Sequence, residues 1–163
     1  MELFYTITLW IAAISCGLMA GVYFSFSAFV MTALEKIPAA SAIAAMQSIN
    51  KVIVSSTFLP LFLGSTLVSL ILVGQALFDW AMGDAPYAAV AGAVYLIGMT
   101  ACTMVFNVPL NDKLAALDPN TRGAAIFWHS YLQQWTRWNH VRTVASTAAT
   151  LLFIGAISAV EHL

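Results

Sequence analysis

Charged residues divide the chain into long apolar stretches. Residues 3–34, 52–78 and 85–111 contain no Asp, Glu, Lys or Arg. Each stretch exceeds the roughly 20 residues that carry a helix across a hydrocarbon core about 30 Å thick. A fourth uncharged stretch, 143–160, is short on its own, but residues 128–142 continue the same helix beyond the bilayer. The pattern predicts an all-α fold: a single domain, 1–163, built as a four-transmembrane-helix bundle. The spans fall at about 4–33, 52–78, 86–109 and 127–160, the last starting outside the bilayer. Residues 39–50 are mildly apolar, with Ile43, Met46, Gln47 and Asn50 on roughly one side, and predict a short interfacial helix leading into the second span.

Composition agrees with burial in lipid. Of 163 residues 61% are hydrophobic and 8% charged, with a mean hydropathy of +0.89, whereas soluble domains carry about 25% charged residues. Six Lys plus Arg against seven Asp plus Glu leave a formal charge of -1, which supplies no basic field for nucleic acid and excludes that class of partner. The basic residues are all in two connections, Lys36 and Lys51 in one, Lys113, Arg122, Arg137 and Arg142 in the other. The positive-inside rule then puts both connections and the interfacial helix on the cytoplasmic side, with the N-terminus and C-terminus outside, in a bacterial-type inner or plasma membrane. Met1 and Glu2 are not the positive start of a signal peptide, so the first span is expected to be retained. Cys16 and Cys102 each sit inside an apolar stretch and are expected to be packing residues.

Some local features predict helix geometry. Gly17, Gly21 and Ser25 recur at four-residue spacing and predict close approach of a neighbouring helix. Pro60 predicts a modest kink in the second span, with Ser55, Ser56 and Thr57 re-satisfying the freed carbonyl.

Polar side chains at membrane depth are costly and mark sites, and here they gather at the ends that carry the basic residues. Asn107 and Asn111 lie four apart around Pro109, so both amides can face one ligand oxygen or cap the helix end. Further on, Trp135, Asn139 and Arg142 fall at i, i+4 and i+7, on one helical face. An aromatic wall, an amide and a fixed cation suit a flat aromatic ligand bearing a phenolate or enolate oxygen. Trp128, Tyr131 and Arg137 read instead as an interfacial belt, aromatic rings at headgroup depth with a snorkelling cation. His129 and His140 are eleven residues apart, about 16 Å along a helix, too far to share one metal ion, and His162 belongs to the opposite side of the membrane. No metal spacing, phosphate loop or nucleophile elbow is present.

Taken together, Gln47-x-x-Asn50, Asn107-x-Pro109-x-Asn111 and Trp135-x-x-x-Asn139-x-x-Arg142-Thr143, in four spans and after a first helix with G-x-x-x-G, Phe and Ser, resemble the anthrone oxygenase-like family of small four-helix membrane proteins. The resemblance covers nearly the whole chain. It implies oxidation of an anthrone to an anthraquinone by dioxygen, with no metal or flavin cofactor. It also points to Asn107, Asn111, Trp135, Asn139 and Arg142 as pocket residues, with Gln47 and Asn50 beside them. On that reading Trp135 stacks the substrate, His140 or His129 takes the benzylic proton as general base, and Arg142, Asn111 and Asn139 hold the oxyanion.

Two further readings stand beside the oxygenase. One is a non-enzymatic binder of a lipophilic small molecule such as a quinone or lipid, or an accessory subunit of a membrane complex. The other is a haem-binding redox protein, since an axial ligand needs only one histidine. Ion-coupled transport has little to work with in four short-looped helices unless chains associate as a homo-oligomer.

Overall fold

The computed structural model describes residues 2–78 and 85–161, so the connection at 79–84 and His162 lie outside the described residues. Among the described residues every regular element is helical. Helix α1 covers 2–35 and contains a π-helical turn at Phe26–Val30. Helix α2 is Ala39–Ile53, α3 is Phe58–Phe78, α4 is Ala85–Ala115, and α5 is Arg122–Glu161. Helices α1, α3, α4 and α5 are each long and apolar enough to cross a membrane. At 1.5 Å per residue, the 40 residues of α5 span about 60 Å, roughly twice the hydrocarbon thickness.

The four long helices close a ring in which α1 packs on α5, α5 on α4, α4 on α3 and α3 on α1. Chain direction alternates along the sequence, and α2 covers one end. That end holds the basic connections and is called the basic end below. Apolar side chains such as Ile7, Ile14 and Leu18 on α1 and Leu63, Leu67 and Leu70 on α3 point outward, exposed, as a lipid-facing surface requires.

Two hydrophobic clusters fill the interior. The larger one lies along the bundle axis and includes Leu9, Cys16, Met19, Leu72, Met99 and Phe153. The second sits at the basic end, where Met31, Ile43, Met46, Leu114, Tyr131 and Trp135 join α1, α2, α4 and α5. Trp128 is 4% exposed and Tyr131 fully buried, which corrects their expected place in an interfacial belt. Their rings pack against α2 and the end of α4. Arg137 is exposed, as a belt residue would be.

Three other expectations are corrected. The second span does not begin at 52: α2 continues to Ile53, and the chain turns before α3 begins at Phe58. The Ser55 and Ser56 hydroxyls donate to the Val52 and Ile53 carbonyls within that turn. Pro60 therefore lies in the first turn of α3, where its missing N–H costs nothing, and it starts a helix where a kink was expected. Nor does the glycine pair of α1 mark the closest helix approach. A Cβ on Gly17 would meet Thr150 at an ordinary 3.6 Å and one on Gly21 would meet nothing, whereas Gly92 lies against Ser69 and Val73 of α3, and Gly98 against Ala145 of α5. The tight contacts belong to α4.

Candidate functional site

Between the two clusters lies a cavity of about 170 Å³, walled by α1, α2, α3, α4 and α5. Arg142 projects from α5 to its edge, 4% exposed. Its guanidinium carbon stands 4.4 Å from the ring centre of Tyr23 on α1 and 4.9 Å from that of Trp135, about two turns earlier on α5. A planar, weakly hydrated cation between two ring faces is favourable by about 0.5–2 kcal/mol per face at a desolvated site.

Asn139 fixes the fork. It is fully buried, accepts a 2.8 Å bond from Arg142 Nη2, and donates through Nδ2 to the Tyr23 carbonyl and Ser27 Oγ, both at 2.7 Å. Ser27 stands within the π-helical turn of α1, a local widening common where a helix serves a site. Arg142 Nε is buried without an acceptor, and among the described residues no carboxylate pairs with this cation.

Helix α4 supplies the amide wall. Its turn at Thr103–Asn107 is π-helical, and the Val108 N–H reaches back to the Thr103 carbonyl. Pro109 follows at once; lacking an N–H and crowding the preceding turn, it favours such a departure from the regular ladder. Asn111 then lines the cavity, and its Oδ1 accepts from the Tyr131 hydroxyl at 2.8 Å and the Trp135 indole N–H at 2.9 Å. With that oxygen doubly engaged, the NH2 of Asn111 is the group left to a ligand. Asn50 of α2 also lines the cavity, with a buried Nδ2 that has no partner.

Of the residues singled out from the sequence, Asn50, Asn111, Trp135 and Arg142 line one cavity, and Asn139 holds Arg142 from behind. Asn107 stands outside the lining: fully buried, it donates to the Trp135 carbonyl at 3.2 Å, with its own Oδ1 unpaired. Gln47 donates to the Leu114 and Leu117 carbonyls at 2.8 and 2.9 Å, closing the free end of α4. The structure does not bring the histidines in. His129 is exposed at the start of α5, and His140 is exposed on the opposite side of α5, its Nδ1 2.9 Å from Ser27 Oγ.

Tyr23, Phe26, Phe58 and Thr103 also line the cavity and were not singled out. For Tyr23 a signal existed: Leu9, Cys16 and Tyr23 recur every seven residues, with Ala12 and Met19 between them, so the ring lies on the buried stripe of α1. Phe26 also packs on Trp135, ring centres 5.4 Å apart. The cavity mouth is apolar, rimmed by exposed Val54, Leu59 and Met104. These residues belong to the turn before α3, the start of α3, and α4.

The arrangement can grip one anionic or strongly polarised oxygen at Arg142, offer it amide donors, and hold a flat apolar body between ring faces. A search of curated proteins and one of solved structures each return no match. The family model described as anthrone oxygenase matches residues 53–152, most of the chain from the turn before α3 to beyond Arg142. The chain belongs to the anthrone oxygenase family.

Proposed function

We propose that the protein is a cofactor-independent, membrane-embedded oxygenase acting with dioxygen on a flat lipophilic phenolic or anthrone-type substrate. One observation carries the reading. Arg142 is a buried guanidinium with no carboxylate partner among the described residues, set at the edge of an apolar cavity. A lone buried cation is costly, and the enolate oxygen of an incoming substrate offsets that cost where it is generated. Stabilisation of a developing anion by a fixed charge in a water-poor site is the largest single catalytic effect in comparable enzymes.

Size supports a sideways pose. A cavity of about 150 Å³ takes one benzene ring, so the present volume of about 170 Å³ accepts one oxygen-bearing ring of a tricycle. The remaining rings lie in the mouth between Val54 and Met104, reached directly from the bilayer.

The chemistry follows from charge. Arg142 favours the enolate over the ketone, and the lost proton passes to water, because no His, Asp or Glu is among the lining residues. The enolate gives one electron to O2. The resulting carbon radical and superoxide combine at the methylene carbon, and protonation gives a hydroperoxide. Loss of water then leaves the quinone carbonyl, so one O2 and one CH2 become one C=O and one H2O. A general-base role for His140 or His129 draws no support from their positions.

Purified protein incubated with model anthrones under air should consume O2 and raise quinone absorbance in equal amounts, and Arg142→Met should lose both. If neither signal rises above the buffer rate across several anthrones while ligand still binds, the protein is a binder of lipophilic molecules. A cytoplasmic basic end is part of the proposal, and a reporter fused after residue 163 should accordingly read out as external.

A further inference from the structure

On the far side of α5 from the cavity, a wider groove of about 390 Å³ separates α5 from the end of α1. Thr32 and Glu35 of α1 face Gln133, Arg137 and His140 of α5 across it. The two spaces are joined through one hydroxyl. Ser27 Oγ lies 2.7 Å from Asn139 Nδ2, 2.9 Å from His140 Nδ1 and 3.2 Å from Thr143 Oγ1.

Counting protons fixes the direction of these bonds. The Asn139 amide can only donate to Ser27, and Thr143 spends its own proton on the Asn139 carbonyl at 2.9 Å. The one proton of Ser27 therefore goes to His140 Nδ1 when that nitrogen is bare, and to Thr143 when it is protonated. With Nδ1 bare, the chain runs one way: Arg142 donates to Asn139, Asn139 to Ser27, and Ser27 to His140. Hydrogen bonds aligned head to tail polarise and strengthen one another. With Nδ1 protonated, Ser27 must accept from both sides and the alignment breaks at its oxygen.

We propose that Ser27 is a positioning residue for Arg142, its hydroxyl transmitting the protonation state of His140 in the groove to the grip of Asn139 on the guanidinium at the cavity. The ionisable or charged groups lining the groove with His140 are Glu35 from α1 and Arg137 from α5. The catalytic consequence rests on the reading of Arg142 as the holder of the enolate, but the coupling itself does not.

The test uses the intact protein in detergent, labelled with 15N-arginine. The sequence has three arginines, Arg122, Arg137 and Arg142, and the buried Nε of Arg142 is sheltered from exchange. Between about pH 5 and 8, the general range in which imidazoles change charge, the Arg142 resonance should move in step with the ring signals of His140. In His140→Ala, an exposed site where folding is safe, and in Ser27→Ala it should stay fixed, and Ser27→Thr should restore the movement. An Arg142 signal that ignores His140 in the natural protein, or still follows it in Ser27→Ala, overturns the coupling; if Ser27→Ala does not fold, the natural protein and His140→Ala decide. Anthrone turnover should fall about three- to tenfold on protonation, the worth of one net hydrogen bond, and lose this dependence in both variants. Absent turnover with the spectral linkage intact would sink the oxygenase and leave the coupling standing.

Discussion

Replacing Arg142 by Met separates the two roles a buried cation can have. The side chain makes two ring-face contacts, worth about 1 kcal/mol each, and one charge-assisted bond to Asn139, worth about 1.5–3 kcal/mol. Against this loss of about 3.5–5 kcal/mol stands the desolvation cost of an ion without a carboxylate, itself several kcal/mol. Met fills much of the same space and carries no charge, so the two sides nearly cancel and stability should change by less than about 2 kcal/mol. Catalysis has no such compensation. Losing the group that meets the enolate should lower kcat by about 10²–10³-fold, or about 2.7–4 kcal/mol in the barrier. Oxygen uptake with a model anthrone gives the first number and thermal unfolding in detergent the second. Turnover within threefold of the natural protein, or loss of the fold with turnover scaling to the folded fraction, would show Arg142 to be structural and refute the reasoning.

Other perturbations probe the same architecture. Asn139→Asp places a carboxylate 2.8 Å from Arg142; the oxygen that replaces Nδ2 cannot donate to the Tyr23 carbonyl, so a thermal melt should show a loss of about 1–3 kcal/mol, while turnover of the folded protein drops at least tenfold because an internal anion now occupies the cation. Met104→Trp narrows the exposed mouth and should raise KM for tricyclic substrates several-fold, with kcat changed less, as steady-state kinetics with one-ring and three-ring phenols will read out. Gly98→Ala drives a methyl group into Ala145 and Gly92→Ala drives one toward the Ser69 carbonyl at 2.9 Å; each should cost about 1–3 kcal/mol of stability, and Gly21→Ala, which meets nothing, should cost under 0.5 kcal/mol or so by the same unfolding assay.

Features set by local spacing were legible in the chain. Uncharged runs mark the spans because lipid tolerates little else, and the three-and-four rhythm of Trp135, Asn139 and Arg142 puts them on one face whatever lies opposite. What lies opposite was not legible. Asn139 reads as a ligand-facing amide, yet its donors are spent on α1, and Gln47 turns to the end of α4. Both outcomes depend on which backbone carbonyls a neighbouring helix leaves free, and spacing within one helix does not encode that. The histidines misled for a related reason: a residue type suited to proton transfer says nothing about the side of the helix it occupies, and His140 is about 100° around α5 from Asn139. Pro60 and the Gly17–Gly21 pair failed because a proline at a helix start and one inside it share a letter, and because α4 had stronger small-residue contacts than α1.

The clamp on Arg142 is assembled from two ends of the chain. One ring and the hydroxyl joint come from Tyr23 and Ser27, upstream of the segment 53–152 that the family model recognises; the other ring and the amide come from within it. A polypeptide starting at the turn before α3 would retain most recognisable residues and yet leave the guanidinium with half a socket. Supplying the missing N-terminal hairpin as a separate polypeptide should rebuild the socket by docking alone, which makes split-chain complementation a direct gauge of how firmly the first helix seats.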